Sequence, residues 1–130
     1  MARTTVHDLL AEARATLERI TPAEAHAAAR DRGAILVDIR GSEQRAEQGL
    51  APGALWFPRN VLEWRVDPDS DASDPRVTDL DSQLILFCFE GYASSLAAAT
   101  LQRLGFTRAT DMAGGFQAWA TAGLPVEPGD

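Results

Sequence analysis

The sequence holds one cysteine and two histidines in 130 residues. A single thiol cannot close an internal disulfide, and a free thiol suits a reducing compartment. It cannot build a cysteine-rich metal site either, and His7 and His26 lie far from it along the chain. No structural metal and no cofactor are therefore expected. Long apolar runs are also missing. The longest, Leu84 to Phe89, is far too short to span a membrane. The first residues, Met1 to Thr5, lead into a charged amphipathic stretch and lack the apolar core of a secretory signal. Basic charge is scarce: 12 basic residues face 19 acidic ones, for a net charge of −7. That balance argues against nucleic acid or an anionic membrane as a main partner. There is no internal repeat and no linker-like stretch. What is present is 45% apolar residues, enough to bury a core. The expectation is a cytoplasmic protein of one domain.

Apolar spacing then divides the chain. Val6, Leu9, Leu10, Ala13 and Leu17 recur at helical intervals, so residues 5–19 read as an amphipathic helix. Ile20 can start a short strand. Thr21-Pro22-Ala23-Glu24 carries a helix start, with Thr21 as N-cap, Pro22 at the first position and Glu24 closing a capping box. That helix runs to Arg32 and stops at Gly33. Residues 34–39 form a short apolar run, expected as a buried strand. Ser42 to Gln48 reads as a polar helix ended by Gly49, and 51–54 as a turn before a small strand at 55–57. Asn60 can cap a helix through Arg65. The acidic, proline-bearing stretch 67–76 reads as a solvated loop, with docking of a basic partner as the alternative. Gln83 to Cys88 is the second buried strand. Ser94 or Ser95 can cap a helix through Leu104, stopped by Gly105. A weak strand at 110–112 leads to Gly114-Gly115 and a last helix, 116–122. Strands alternating with helices predict an α/β fold with a mostly parallel sheet.

The segment that carries chemistry is Cys88-Phe89-Glu90-Gly91-Tyr92-Ala93-Ser94. It joins the end of a buried strand to the start of a helix, where open α/β sheets bind ligands. The amides opening that helix favour a negative charge, such as a thiolate or a persulfide. Gly91 lets the loop fold back so that several N–H groups can face the sulfur. A lone cysteine at a strand end can equally be a packed core residue. The segment alone leaves both readings open.

Four stretches carry a resemblance. Leu36-Val37-Asp38-Ile39-Arg40 resembles the "L-V-D-x-R" strand of rhodaneses. Gly49-Leu50-Ala51-Pro52-Gly53-Ala54 resembles their "G-H-I-P-G-A" turn, with Leu50 and Ala51 in place of His and Ile. Cys88 to Ser94 resembles their six-residue active-site loop and the serine that follows it. Gly114-Gly115-Phe116-Gln117-Ala118-Trp119 and Ala122-Gly123-Leu124-Pro125-Val126 resemble their C-terminal signature. The stretches come in family order. The resemblance implies a rhodanese-like fold: a central, mostly parallel five-stranded sheet with helices on both faces. Residues 20–130 would form it, and 1–19 would be an N-terminal helical extension. It implies a sulfurtransferase that moves sulfane sulfur from a small donor (thiosulfate-like, persulfide or polysulfide) to a thiol, cyanide or protein acceptor. Cys88 would be the nucleophile and would carry the sulfur as a persulfide. Phe89, Glu90, Gly91, Tyr92, Ala93 and Ser94 would form the cradle around it. Asp38 and Arg40 match the family pair on the central strand and read best as a structural tie between loops.

The sequence also departs from the family. Many single-domain rhodaneses place a basic residue inside the loop, where this chain has Ala93, and Glu90 adds a negative charge. A dianionic donor would meet less positive charge than usual, unless Arg45, Arg59 or Arg65 compensates. Each of the three also reads as an ordinary surface charge. A catalytically silent binding or regulatory module is the alternative this departure suggests. Phosphatases of this fold use a loop one residue longer with Arg at the sixth position after Cys; here that position is Ser94, which argues against phosphoryl transfer. Trp56, Trp64 and Trp119 are expected to pack, and His7 and His26 to lie on the surface.

Overall fold

The structure, a computed structural model, describes residues 2–129. Met1 and Asp130, the expected outer limits of the extension and the domain, lie outside the described residues. The first helix, α1 (Val6–Ala15), starts where Thr5 Oγ accepts the Asp8 N–H and the Asp8 carboxylate takes the Thr5 N–H. It ends short of the expected residue 19. Thr16 turns its hydroxyl back onto the Ala13 carbonyl, a local bond that competes with helix continuation. Helix α2 (Pro22–Asp31) has the expected capping box between Thr21 and Glu24. The Glu24 carboxyl is held below its usual range, first by the Thr21 backbone N–H and then by its hydroxyl.

Strand β1 (Ile35–Asp38) is followed by α3 (Ser42–Gln48), β2 (Leu55–Trp56), α4 (Leu62–Val66) and β3 (Leu84–Phe87). Helix α5 (Ala93–Arg103), β4 (Thr110–Asp111) and α6 (Gly115–Thr121) complete the fold. The sheet has four strands in the order β2-β1-β3-β4, all parallel. The expected fifth strand does not form: Ile20 makes only one parallel bridge, to Met112. The next two residues are the cap Thr21 and Pro22, which has no N–H to give a ladder, so the chain must turn into α2 at once.

Alternating side chains of the two central strands feed two cores. Val37, Leu84 and Leu86 join Leu62, Val66, Ala97 and Leu101 on one face. Leu36, Ile85 and Phe87 join Ala25, Ala28, Met112, Phe116 and Trp119 on the other. Helices therefore cover both faces, as expected, and α1 packs outside α5. None of the helices described is long and apolar enough to cross a membrane.

Several local expectations are corrected. Helix α4 starts at Leu62 rather than from an Asn60 cap and has no side-chain cap at all; burial of Leu62 and Val66 sets its position. Stretch 67–76 is not uniformly solvated. Asp74 is buried and bonded to Arg76, whose guanidinium lowers the Asp74 carboxyl to about 2. Trp119 is buried, with Nε1 donating to the Pro125 carbonyl at 2.7 Å, but Trp64 is 60% exposed and packs little. His26 is half-buried, edge-on to Trp119 at 5.4 Å between ring centroids, whereas His7 is exposed as expected.

Candidate active site

Parallel pairing puts the carboxyl ends of β1 and β3 side by side, with Asp38 opposite Phe87. At the end of β1, Asp38 is gripped from three directions. Arg40 donates to it through Nε at 3.0 Å and Nη2 at 2.8 Å, and Arg45 Nε adds a bond of 3.1 Å. Arg40 Nη2 also reaches the Gly49 carbonyl at 2.8 Å, and Nη1 reaches Gln48 Oε1 at 3.2 Å. The guanidinium, fully buried, lies over the Phe116 ring at 4.1 Å. Every nitrogen of Arg40 is engaged, so the pair fastens the Gly49 turn to the sheet. Arg45 is likewise committed, to Asp38 and to the face of Trp56 at 4.3 Å.

At the end of β3, Cys88 sits half-buried one residue past the strand. The Gly91 N–H donates to Sγ at 3.2 Å, and the thiol lies 3.5 Å from Ser94 Oγ. The loop between is anchored through its carbonyls. Helix α6 presents the Phe116 N–H to the Cys88 carbonyl at 2.8 Å and the Gln117 N–H to the Phe89 carbonyl at 2.9 Å. This approach is why Gly115 is a glycine: a Cβ there would stand 2.5 Å from the Phe89 oxygen, and its φ is +62°. The Gly91 carbonyl is taken by Arg14 Nη2 at 2.8 Å and Arg19 Nη2 at 3.0 Å. With the Cys88, Phe89 and Gly91 carbonyls taken by these donors, the Gly91 N–H is the amide that faces the sulfur. Among the described residues, the Glu90 and Tyr92 N–H groups meet no protein acceptor.

A cavity of about 260 Å³ opens over Cys88, walled by Ile39, Arg40, Gln44, Arg59, Phe89, Glu90, Tyr92 and Ala93. A larger groove beside His26, about 440 Å³, is lined by no cysteine, serine or threonine. Of the three candidate anion ligands, only Arg59 lines the Cys88 cavity, and Glu63 holds it through two bonds of 2.8 and 2.9 Å. Arg65 is turned to the Ala72 carbonyl and Asp74, away from the cavity. Ser94 and Ser95 do not cap α5, which begins at Ala93. Both are buried and donate to Asp111 Oδ2, at 2.7 and 2.8 Å. Arg19 completes the Asp111 shell through Nε at 2.9 Å and Nη2 at 3.2 Å.

The model of the family described as "Rhodanese-like domain" matches residues 21–122. The chain belongs to that family. It is 37% identical over 102 residues to the thiosulfate sulfurtransferase GlpE of Stutzerimonas stutzeri (strain A1501), covering 78% of this chain and 84% of that protein. It is 36% identical over 104 residues to GlpE of Pseudomonas syringae pv. syringae (strain B728a), covering 80% and 88%. Among solved structures, a protein of unknown function and possible tyrosine phosphatase from Rhodopseudomonas palustris CGA009 superimposes with a TM-score of 0.88. It is 32% identical, with 98% of this chain and 99% of that one covered, so the likeness includes α1. These matches make the chain a rhodanese-family sulfurtransferase.

Three residues that bond to the Cys88 loop or to the serines that follow it were missed by sequence reasoning: Arg14, Arg19 and Asp111. Asp111 left a usable signal, since a carboxylate on a strand flanked by buried residues needs a cation or several donors. The two arginines left none, because tertiary structure brings them to the loop: the packing of α1 on α5 places Arg14, and the pairing of Ile20 beside β4 places Arg19.

Proposed function

We propose that this rhodanese-family protein transfers sulfane sulfur through a persulfide on Cys88. The observation that carries the proposal is the Gly91 N–H on Cys88 Sγ, at the floor of an open cavity whose rim amides have no protein acceptor. With thiosulfate, the donor of the GlpE relatives, the Cys88 thiolate attacks the outer sulfur. The S–S bond of the donor breaks and sulfite leaves with its electron pair. The terminal persulfide sulfur, bearing the new negative charge, is held by amide donors. Cyanide or a thiolate acceptor then attacks that sulfur and returns the Cys88 thiolate, giving thiocyanate or a new persulfide. Glu90 at the mouth and the pairing of Arg59 with Glu63 favour donors whose sulfur group carries one negative charge, such as an organic persulfide, over dianionic thiosulfate.

A phosphatase reading finds no support in the geometry. The residue six after Cys88 is Ser94, buried with its hydroxyl on Asp111, and no guanidinium enters the loop to hold a phosphoryl group. The test is a panel of thiosulfate, mercaptopyruvate, glutathione persulfide and polysulfide with cyanide or thiol acceptors. Turnover with at least one donor, abolished in Cys88→Ser, is expected. No turnover with any donor contradicts the proposal.

A further inference from the structure

We propose that Arg14 and Arg19 are positioning residues for sulfur transfer: together they hold the Gly91 carbonyl away from Cys88, so that the loop amides stay on the sulfur side. The proposal rests on the reading of Cys88 as the persulfide carrier. Both arginines precede residue 21, where the match to the family begins, so the domain proper has borrowed them from its N-terminal neighbour.

The geometry converges on one residue, Gly91, and the two peptide groups that flank it. The Gly91 carbonyl accepts from Arg14 Nη2 at 2.8 Å and Arg19 Nη2 at 3.0 Å, while the Gly91 N–H donates to Cys88 Sγ at 3.2 Å. A trans peptide carries its N–H opposite its C=O. Drawing the Gly91 oxygen to the arginines therefore turns the Tyr92 N–H away from them. Gly91 has φ +93°, and glycine is the residue most free to let this peptide swing. Among the described residues no backbone N–H takes that carbonyl, and the Ser95 N–H bonds the Tyr92 carbonyl at 3.1 Å. Without the arginines, nothing but a weak contact from the Ser95 hydroxyl, at 3.4 Å, would oppose the swing.

Each arginine is itself fixed at a second point. Arg14 Nε donates to Ser95 Oγ at 3.0 Å, and Arg19 is held by both oxygens of Asp111. Asp111 also accepts from the Ser94 hydroxyl, which faces Cys88. The network thus reaches the sulfur environment by two routes, through Gly91 and through Ser94. It carries charge as well. Arg19 and Asp111 cancel, which leaves the Arg14 cation behind a loop that has Ala93 where many relatives carry a basic residue. A fixed cation behind the loop favours the anionic sulfur without reorganising during the reaction.

The experiment is rapid-quench mass spectrometry of Cys88 persulfide formation in the full chain, with thiosulfate and with polysulfide, across donor concentration. The variants are Arg14→Gln, Arg14→Lys, Arg19→Gln and Glu12→Gln, each with a melting curve. Arg14→Gln is expected to slow loading at saturating donor by about ten- to a hundredfold, the scale for a misplaced reactive group. Arg14→Lys keeps a charged donor and should recover part of that loss. Glu12→Gln, on the exposed side of α1, should load like the natural chain. Arg19→Gln removes the cation from buried Asp111 and can unfold the protein; Arg14, half-exposed, then decides the matter alone. Natural loading rates in folded Arg14→Gln overturn the proposal. Failure of the natural chain to load from either donor overturns instead the reading of Cys88 on which it rests.

Discussion

The carboxyl ends of β1 and β3 lie next to each other, and both end in reactive-looking chemistry: Asp38, Arg40 and Arg45 on one, Cys88 and its loop on the other. They differ in what is left unsatisfied. In the β1 cluster every nitrogen of the Arg40 guanidinium has a partner and the group is sealed under Phe116. In the β3 loop the Cys88, Phe89 and Gly91 carbonyls are tied down by α6, Arg14 and Arg19, whereas among the described residues the Glu90 and Tyr92 N–H groups, on two residues of the open cavity, have no protein acceptor. A charged cluster with no spare capacity holds a fold together. A cluster whose acceptors are occupied and whose donors are spare can bind an anion. The contrast also explains why Asp38 and Arg40 need no catalytic role despite their place beside the site.

The largest break of this contrast is Arg40→Ala. It strips Asp38 of its main partner and leaves the Gly49 carbonyl unpaired, so unfolding free energy should drop by about 3–5 kcal/mol. Chemical denaturation measures it, and a loss below about 1 kcal/mol would mean the cluster is not structural. Next is Gly115→Ala. Its Cβ would meet the Phe89 and Cys88 carbonyl oxygens at 2.5 and 2.6 Å, and φ +62° adds backbone strain. Stability should fall by about 1–3 kcal/mol and persulfide loading should slow with it. Reduced stability with undiminished loading would show that anchoring by α6 does not organise the loop.

A smaller effect is expected from Glu90→Gln. Removing a carboxylate from the cavity mouth should lower the half-saturating thiosulfate concentration by about two- to fivefold at low salt, and the gain should fade at high ionic strength. Unchanged thiosulfate affinity at low salt would remove Glu90 as a determinant of donor charge. The smallest effect concerns a second closed cluster, Asp74 with Arg76. The Asp74 carboxyl is lowered from 3.8 to about 2, chiefly by its bond to the Arg76 side chain. Its contribution to stability is therefore complete above about pH 4 and is lost as the pH falls through 2. Asp74→Asn should cost stability at pH 7 and little at pH 2, as read by urea melts. An equal cost at both values would contradict the pairing.

Much of this was legible in the sequence, for identifiable reasons. The two central strands announce themselves because both faces are buried and their residues are almost all apolar. The Thr21–Glu24 box marks α2 because capping is local chemistry. Gly91 and Gly115 stand where the backbone needs positive φ, and the cysteine loop follows from its place between strand and helix. What was not legible depends on tertiary packing. The missing fifth strand reflects competition at Ile20 between pairing and the start of α2. Ser94 and Ser95 read as caps because serine favours that position, but buried Asp111 claims both hydroxyls. Arg45, Arg59 and Arg65 were candidates for the charge that Ala93 lacks; the guanidiniums that reach the loop belong to Arg14 and Arg19, far away in sequence. No spacing rule links residues 14 and 91.

The central claim is that the β3 loop stabilises sulfur on Cys88. Its most direct test is intact-mass measurement of the protein after exposure to thiosulfate or polysulfide and removal of excess donor. Because the chain has one cysteine, an added sulfur has a single thiol to occupy. A gain of about 32 Da, the mass of one sulfur atom in the proposed chemistry, that is lost on adding cyanide and absent in Cys88→Ser is the result expected. No gain with either donor, or the same gain in Cys88→Ser, contradicts it.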